Sequence, residues 1–331
     1  MRYIDVFNGD ADGMCALHQL RLAEPLPPDA PAQLVTGLKH EIDLLARLDL
    51  DPARAGETAI TVLDVSLDRN RAALERLLAA GATVRYFDHH FAGVVPSHPH
   101  LHAVLDPAAE VCTGMLVDRY LNGRYRAWAV VAAYGDNLDV AAQDLAATLR
   151  LDAGATGNLR ALGKALNYNA YGDCEADVLF HPRELYLTLH AFADPLAFHR
   201  TATVQALLAR RRDDLAAALR VAPTFADEHC AVYRLPAADW SRRVIGTFAN
   251  ALAQAHPARA HAVLKPDDAG DFTVSVRAPL RSLDGAMREG ADWLCRQFPG
   301  GGGRVAAAGI DHLPAARCDE FIGALRAMSW R

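Results

Sequence analysis

Four groups of acids and imidazoles each follow a short apolar run, and these are the residues that could do chemistry. Asn8-Gly9-Asp10-Ala11-Asp12-Gly13 follows residues 3–7, and Asp64 follows residues 59–63. Asp88-His89-His90 follows the run ending at Phe87, and Gly135-Asp136 follows residues 127–134. In a parallel α/β sheet the strand C-termini share one rim, and ligands bind in the crevice there. If each run is a strand, all four groups converge on a small volume. Carboxylates gathered so closely repel, and a pair of divalent cations is the simplest neutralising partner. Asp10 and Asp12 would share one side of an extended backbone. Asp-x-Asp-Gly alone is a weak signal, since Asp ahead of residues 13–20 would cap that helix well, and Asp64 reads equally as a loop acid or cap. Adjacent His89 and His90 suit metal and phosphate contact, because imidazole supplies both a neutral ligand and a charged donor.

A second set lies toward the C-terminus. Gly300-Gly301-Gly302-Gly303-Arg304 would let backbone N–H groups approach an anion, with Arg304 free to pair with phosphate or carboxylate. The plain alternative is a flexible surface loop. Arg277, just beyond a strand at 272–276 and on the same side as Ser275, is another anion contact or else a solvated strand-end charge. His98, His100 and His102 alternate in a loop-to-strand segment interrupted by Pro96 and Pro99 and read as a solvated loop. Arg210-Arg211-Arg212-Asp213-Asp214 reads as a solvated helix face or connector rather than a nucleic-acid stripe.

Positioning these groups requires regular elements. Strands are expected at 3–7, 32–36, 59–63, 83–87, 103–105 and 127–134, with helices at 13–23, 41–48, 70–80 and 113–121. That alternation implies an α/β fold with a doubly wound parallel sheet. From about 138 to 220 the pattern is mainly helical, with candidate helices at 185–192 and 196–221. Strands return at 230–234, 261–264 and 272–276, with helices at 240–254 and 285–296, which gives a smaller C-terminal α+β domain. The expected divisions are 1–140, a helical connector over 141–223, and 224–331.

The 331 residues, 51% apolar and 22% charged, suit two globular cores. No apolar run reaches membrane-span length, and the opening strand leaves no room for a signal peptide, so no membrane partner and a cytoplasmic location are expected. Six scattered cysteines without metal spacing read as reduced thiols. A formal net charge of −6 argues against a general long-duplex binder, yet permits a short anionic ligand held by a few arginines and metals.

In their order, Asp-x-Asp-Gly, the strand-end Asp64, Asp88-His89-His90, Gly135-Asp136 and the glycine cluster resemble the DHH phosphoesterase superfamily with its DHH-associated second domain. The likeness runs from residue 3 to about 310, is blank over roughly 140–225, and includes Val244-Ile245-Gly246 with Ala249-Asn250. It implies a two-manganese phosphoesterase, with magnesium an alternative, whose site lies between two domains. By position Asn8 and Asp10 would hold the first metal and Asp12, His89 and Asp136 the second, with Asp64 bridging. Asp139 is close enough in sequence to stand in for Asp136. Asp88 would orient a histidine, and His90 would face the substrate phosphate. Gly301, Gly302, Gly303, Arg304 and Arg277 would hold the rest of the substrate.

Two positions depart from the family pattern. Asn8 stands where His or Asp begins the first motif, and Arg304 where His ends the glycine cluster. The implied reaction is two-metal in-line attack of hydroxide on a short single-stranded oligonucleotide, dinucleotide or nucleoside bisphosphate. Hydrolysis of polyphosphate or pyrophosphate is a narrower possibility. The alternative function is a weakly active or non-catalytic protein that binds nucleotides or nucleic-acid ends.

Overall fold

Period-two alternation of apolar residues builds the first sheet and covers both its faces. The computed structural model describes residues 1–51, 54–279 and 290–330. Its first sheet contains β1 (Arg2–Phe7), β2 (Gln33–Val35), β3 (Thr58–Leu63), β4 (Thr83–Asp88) and β5 (Leu101–Leu105). They run parallel in the order β2-β1-β3-β4-β5. Around them lie α1 (Ala11–Ala23), α2 (Leu67–Ala79), α3 (Thr113–Tyr120), α4 (Arg126–Gly135), α5 (Asp139–Ala147) and α6 (Ala153–Asn169). Then come α7 (Pro182–Leu189), α8 (Pro195–His199) and α9 (Ala202–Ala218). Ile4, Val6, Ile60, Val62, Val84 and Tyr86 share one core with Leu74, Leu77 and Leu78 of α2. Phe7, Leu63 and Phe87, the alternate positions, join the core made with α1 and α3–α9. Helices on both faces make this the doubly wound sheet expected. Its strand order reverses beside β1, so the crevice opens at the C-terminal ends of β1 and β3.

α1 is tied to the sheet at both ends. Asp10 caps it, accepting from the N–H groups of Asp12 at 2.9 Å and Gly13 at 3.1 Å. Near the other end buried Arg21 donates Nε–H to Asp5 of β1 at 2.8 Å, pairs a second time with the same carboxylate, and reaches Thr61 of β3 at 3.2 Å. Cutting one partner of such a buried pair leaves a bare charge and typically costs about 3–5 kcal/mol. The helix stops at Glu24, ahead of Pro25.

Several local expectations change. Residues 127–134 form helix α4, not a strand. A buried apolar run cannot be told from a strand by periodicity, and alanines at 127, 129, 132 and 133 favour a helix. Residues 41–48 yield only a 3₁₀ turn at Leu44–Arg47. The long helix at 196–221 is divided into α8 and α9, with the Thr201 hydroxyl accepting from Val204 N–H at 3.4 Å. Of the helix expected at 285–296, residues 285–289 lie outside the described residues.

The chain divides into two compact units, Met1–Ala209 and Arg210–Arg331. In the second, β6 (Phe225–Ala226), β7 (Cys230–Arg234), α10 (Asp239–Ala255), β8 (Ala260–Pro266) and β9 (Phe272–Arg277) come first. α11 (Ala291–Cys295), β10 (Gly301–Arg304), β11 (Ala307–Leu313) and α12 (Cys318–Ala327) follow. The mixed sheet runs β10-β11-β9-β8-β7-β6, with only β7 and β8 parallel. α11 and α12 pack on one face through Leu294, Phe321 and Leu325, and α10 packs on the other through Val244 and Phe248.

His18 of α1 is fully buried, edge-on to Trp128 of α4 at 4.7 Å, and its Nε2–H donates to the Phe192 carbonyl at 2.7 Å. Its Nδ1 has no partner among the described residues. Burial, outweighing the Phe192 bond, holds its pKa down at about 4. An unfolded histidine titrates near 6.5. The neutral ring therefore contributes stability in full above pH 6.5, and that contribution is lost as pH falls toward 4, on the order of 3 kcal/mol. Denaturant unfolding at pH 7.5 and 4.5 should show His18→Gln losing about 2 kcal/mol less than wild type between the two pH values. Equal losses would remove His18 as the acid-sensitive group.

Candidate metal centre

The strands that carry the site end in step. Phe7 of β1 pairs with Leu63 of β3, and Leu63 pairs with Phe87 of β4. Just beyond, Asn8 N–H donates to Leu63 O at 3.2 Å and Asp64 N–H to Phe87 O at 3.0 Å. Asn8, Asp64 and the Asp88-His89 step thus emerge side by side at the rim. Asp64 has φ +58°, a left-handed conformation that Asp tolerates better than most residues. Strain of this kind collects where function holds it.

Helix ends supply the remaining acids. Asp12, in the first turn of α1, receives the Thr113 and Gly114 N–H groups of α3 on its two oxygens, each at 2.7 Å. These are orphan donors of a helix N-terminus, which favours a carboxylate. A Cβ on Gly114 would stand 2.5 Å from that of Ala132, so only glycine allows this approach of α3 to α4. Asp136 is the C-cap of α4 and reaches the cluster from a helix end, not from a strand. Asp139, the first residue of α5, instead pairs with Arg160 at 3.0 Å and Lys164 at 3.3 Å.

His89 draws the acids together. Its Nε2 lies 3.4 Å from Asp64 Oδ1, 3.6 Å from Asp136 Oδ2 and 3.9 Å from Asp12 Oδ2. All three exceed the roughly 2.7–2.9 Å of a charge-assisted hydrogen bond. The Asp64 and Asp136 distances match the spacing between donors around one cation, about 3–3.6 Å when bond lengths are near 2.0–2.2 Å, and Asp12 stands just beyond it. The other ring nitrogen, Nδ1, donates to the Val111 carbonyl at 2.8 Å. Such a backbone partner orients a metal-binding histidine and leaves Nε2 for the ion. The donor set therefore fits a divalent cation.

Sequence reasoning misses Lys39. It follows β2, and its Nζ pairs with Asp10 Oδ2, donates to Asn167 Oδ1 of α6 at 3.0 Å and meets Asp136 Oδ1 at 3.3 Å. Gly9 makes room for this segment, since a Cβ there would lie 2.1 Å from the Gly37 carbonyl. Asn8 stands beside it, but its Oδ1 accepts from Asp10 N–H at 3.3 Å. The one signal in the sequence is position, a lone cation soon after a strand of the same sheet.

Asp88 is fully buried and accepts from His90 Nδ1 at 2.6 Å, His90 N–H at 3.2 Å and Leu67 N–H at 3.2 Å. His90 is the open member of the group, 44% exposed, with its Nδ1 3.9 Å from Asp64. In the second unit the glycines expected in a loop form strand β10, paired with β11. Arg304 and Arg277 both pair with Ala307 and so lie in one row on one face, roughly 10 Å apart across two strand spacings. The next row on that face is Gly302, Gly309 and Ser275. Arg277 also donates to Asn250 Oδ1 at 2.7 Å and Ser275 Oγ at 2.9 Å.

Crowding shapes the protonation of the cluster. Burial first, then Asp12 and Asp10, hold the Asp64 carboxyl well above its ordinary range, and burial and Asp136 raise Asp12. Asp10 goes the other way, because Lys39 outweighs its burial. Burial would depress His89, but Asp64, then Asp12 and Asp136, push it up to about 10. A proton and a divalent cation thus compete for the same nitrogen.

No family model matches the chain, and no curated protein matches it. Solved structures do. The exonuclease RecJ bound to manganese aligns with 98% of this chain and 89% of its own, at TM-score 0.53 and 21% identity. RecJ from Thermus thermophilus, in complex with Mn2+, aligns with 98% of this chain at TM-score 0.59 and 20% identity, over 51% of its own length. PggH from Vibrio cholerae, a pGpG-specific phosphodiesterase, aligns with 99% of this chain and 100% of its own, at TM-score 0.55 and 13% identity. The chain shares the fold of these three solved structures.

Asp64→Asn keeps a residue suited to φ +58° while removing one of the buried carboxylates. In chelator, its unfolding free energy should exceed that of wild type by about 1–2 kcal/mol. A less stable variant in guanidinium titration would mean that the cluster does not strain the metal-free protein.

Proposed function

We propose that this chain is a divalent-cation-dependent phosphoesterase that hydrolyses a short phosphorylated ligand, a short single-stranded oligonucleotide, dinucleotide or nucleoside bisphosphate. The carrying observation is the approach of His89 Nε2 to one oxygen each of Asp12, Asp64 and Asp136, at 3.4–3.9 Å. We assign Asp12, Asp64, His89 and Asp136 to hold Mn2+ or Mg2+. When bound, such a cation activates water and neutralises charge growing on phosphoryl oxygens.

The chain's own residues do the positioning. The α3 N–H groups fix Asp12 and the Val111 carbonyl fixes His89, so neither must reorganise to meet a ligand. Asp88 holds His90 by Nδ1, which leaves Nε2 to meet a phosphoryl oxygen from the exposed side. In the second unit Arg277 and Arg304, flanking small residues, are assigned to anion binding with Gly301, Gly302 and Gly303. RecJ and PggH, whose names denote an exonuclease and a phosphodiesterase, favour a phosphodiester substrate. Six free thiols suit a reducing cytoplasm, and among the described residues no helix is long and apolar enough to cross a membrane.

A weakly active or non-catalytic binding protein is the second reading, favoured by Asn8 and by the engagement of Asp10 with Lys39. The test uses chelator-treated protein resupplied with Mn2+ and offered 5′-labelled short DNA and RNA, a linear dinucleotide, a nucleoside bisphosphate and polyphosphate. Turnover of at least one phosphodiester should require the cation. Asp64→Ala and His89→Ala should each lower kcat at least about 10²-fold. Nucleotide binding without turnover of any substrate would favour the second reading.

A further inference from the structure

Lys39 has three N–H donors and three acceptors around it, namely Asp10 Oδ2, Asp136 Oδ1 and Asn167 Oδ1. An ammonium so placed keeps no donor for a ligand and acts as a fixed charge inside the acid cluster. It occupies one side of that cluster. Asp136 divides its oxygens, presenting Oδ1 to Lys39 and Oδ2 to His89.

The donors on the Lys39 side are already engaged. Asp10 Oδ1 accepts from the Asp12 and Gly13 N–H groups, Asp10 Oδ2 pairs with Lys39, and Asn8 Oδ1 accepts from Asp10 N–H. Asn8 is neutral besides, and a carboxamide oxygen is a weaker ligand for a hard cation than a carboxylate. On the His89 side, among the described residues, no ammonium intervenes between His89 Nε2 and the oxygens of Asp12, Asp64 and Asp136.

The ligand atoms on that side form two overlapping groups, Asp12–His89–Asp136 and Asp64–His89–His90, and both draw on a His89 ring whose Nδ1 is already committed to the Val111 carbonyl. We infer that the centre takes one divalent cation, on His89, and that the Lys39 ammonium stands permanently in the place of a second. The inference rests on the phosphoesterase reading for the identity of the site, but its test does not use turnover. Lys39 is a positioning residue, since its donors are committed to Asp10, Asp136 and Asn167. It fixes Asp136 whether or not an ion is bound, and it neutralises charge without activating water. A centre built this way leaves water activation to a single ion.

The experiment equilibrates the full chain with Mn(II) alone, counts bound manganese by dialysis and metal analysis, and records its electron paramagnetic resonance. A surface trio, Asp267, Asp271 and His312, could hold an unrelated ion, so all proteins carry His312→Ala. Wild type should bind one manganese with an uncoupled spectrum. Lys39→Met, or Asn8→Asp with Lys39→Met, which supplies a carboxylate in place of the amide, should bind two with the broadened spectrum of a spin-coupled pair. A coupled pair in wild type would overturn the role given to Lys39 while leaving the phosphoesterase reading intact. So would a single uncoupled ion in both folded variants. No manganese bound by wild type would overturn both.

Discussion

Four carboxylates, Asp10, Asp12, Asp64 and Asp136, converge at the rim of a parallel sheet, and three of them are almost completely buried. Charge sequestered from water is tolerated only when it is paired, hydrogen-bonded or neutralised. The surrounding structure supplies each remedy. α1 offers its first N–H groups to Asp10, α3 offers its own to Asp12, Lys39 brings a full positive charge, and His89 brings a fourth kind of partner. What remains on the His89 side is a set of oxygens 3.4–3.9 Å from its Nε2, held by contacts that do not depend on a cation.

That arrangement explains which parts of the site were legible in the sequence. Asp10, Asp12, Asp64 and His89 follow short strands, and strand ends in a doubly wound sheet have a known destination. The register of β1, β3 and β4 turns three separate sequence positions into neighbours. Asp136 also reaches the cluster, but by a different path. Its preceding run is a buried, alanine-rich helix, and burial on all sides erases the periodicity that separates helix from strand. Lys39 lies in an irregular segment whose geometry depends on Gly9 and Gly37, so no local pattern marks it. Thr113 and Gly114 contribute backbone N–H groups, which every residue but proline owns, and residue type alone could not reveal them.

The second unit shows the opposite balance. Its glycines suggested backbone freedom, yet Gly301–Arg304 is an edge strand whose pairing with β11 fixes it. The freedom is spent on shape. Small residues in two adjacent rows leave a low surface bordered by Arg277 and Arg304, while Asn250 and Ser275 brace the first of these arginines. Identities of 13–21% over nearly the whole chain show how little sequence this architecture needs to persist.

The short segment from Val111 to Gly114 ties two parts of the cluster together, because its carbonyl holds His89 and its amides hold Asp12. Groups from two different strand ends thus answer to one piece of peptide. An insertion or deletion between β5 and α3 would shift both anchors together, whereas the exposed stretch around Val94 and Val95 answers to neither. The loop before α3 should therefore be frozen in length over evolutionary drift, while its neighbour across β5 is free to grow or shrink.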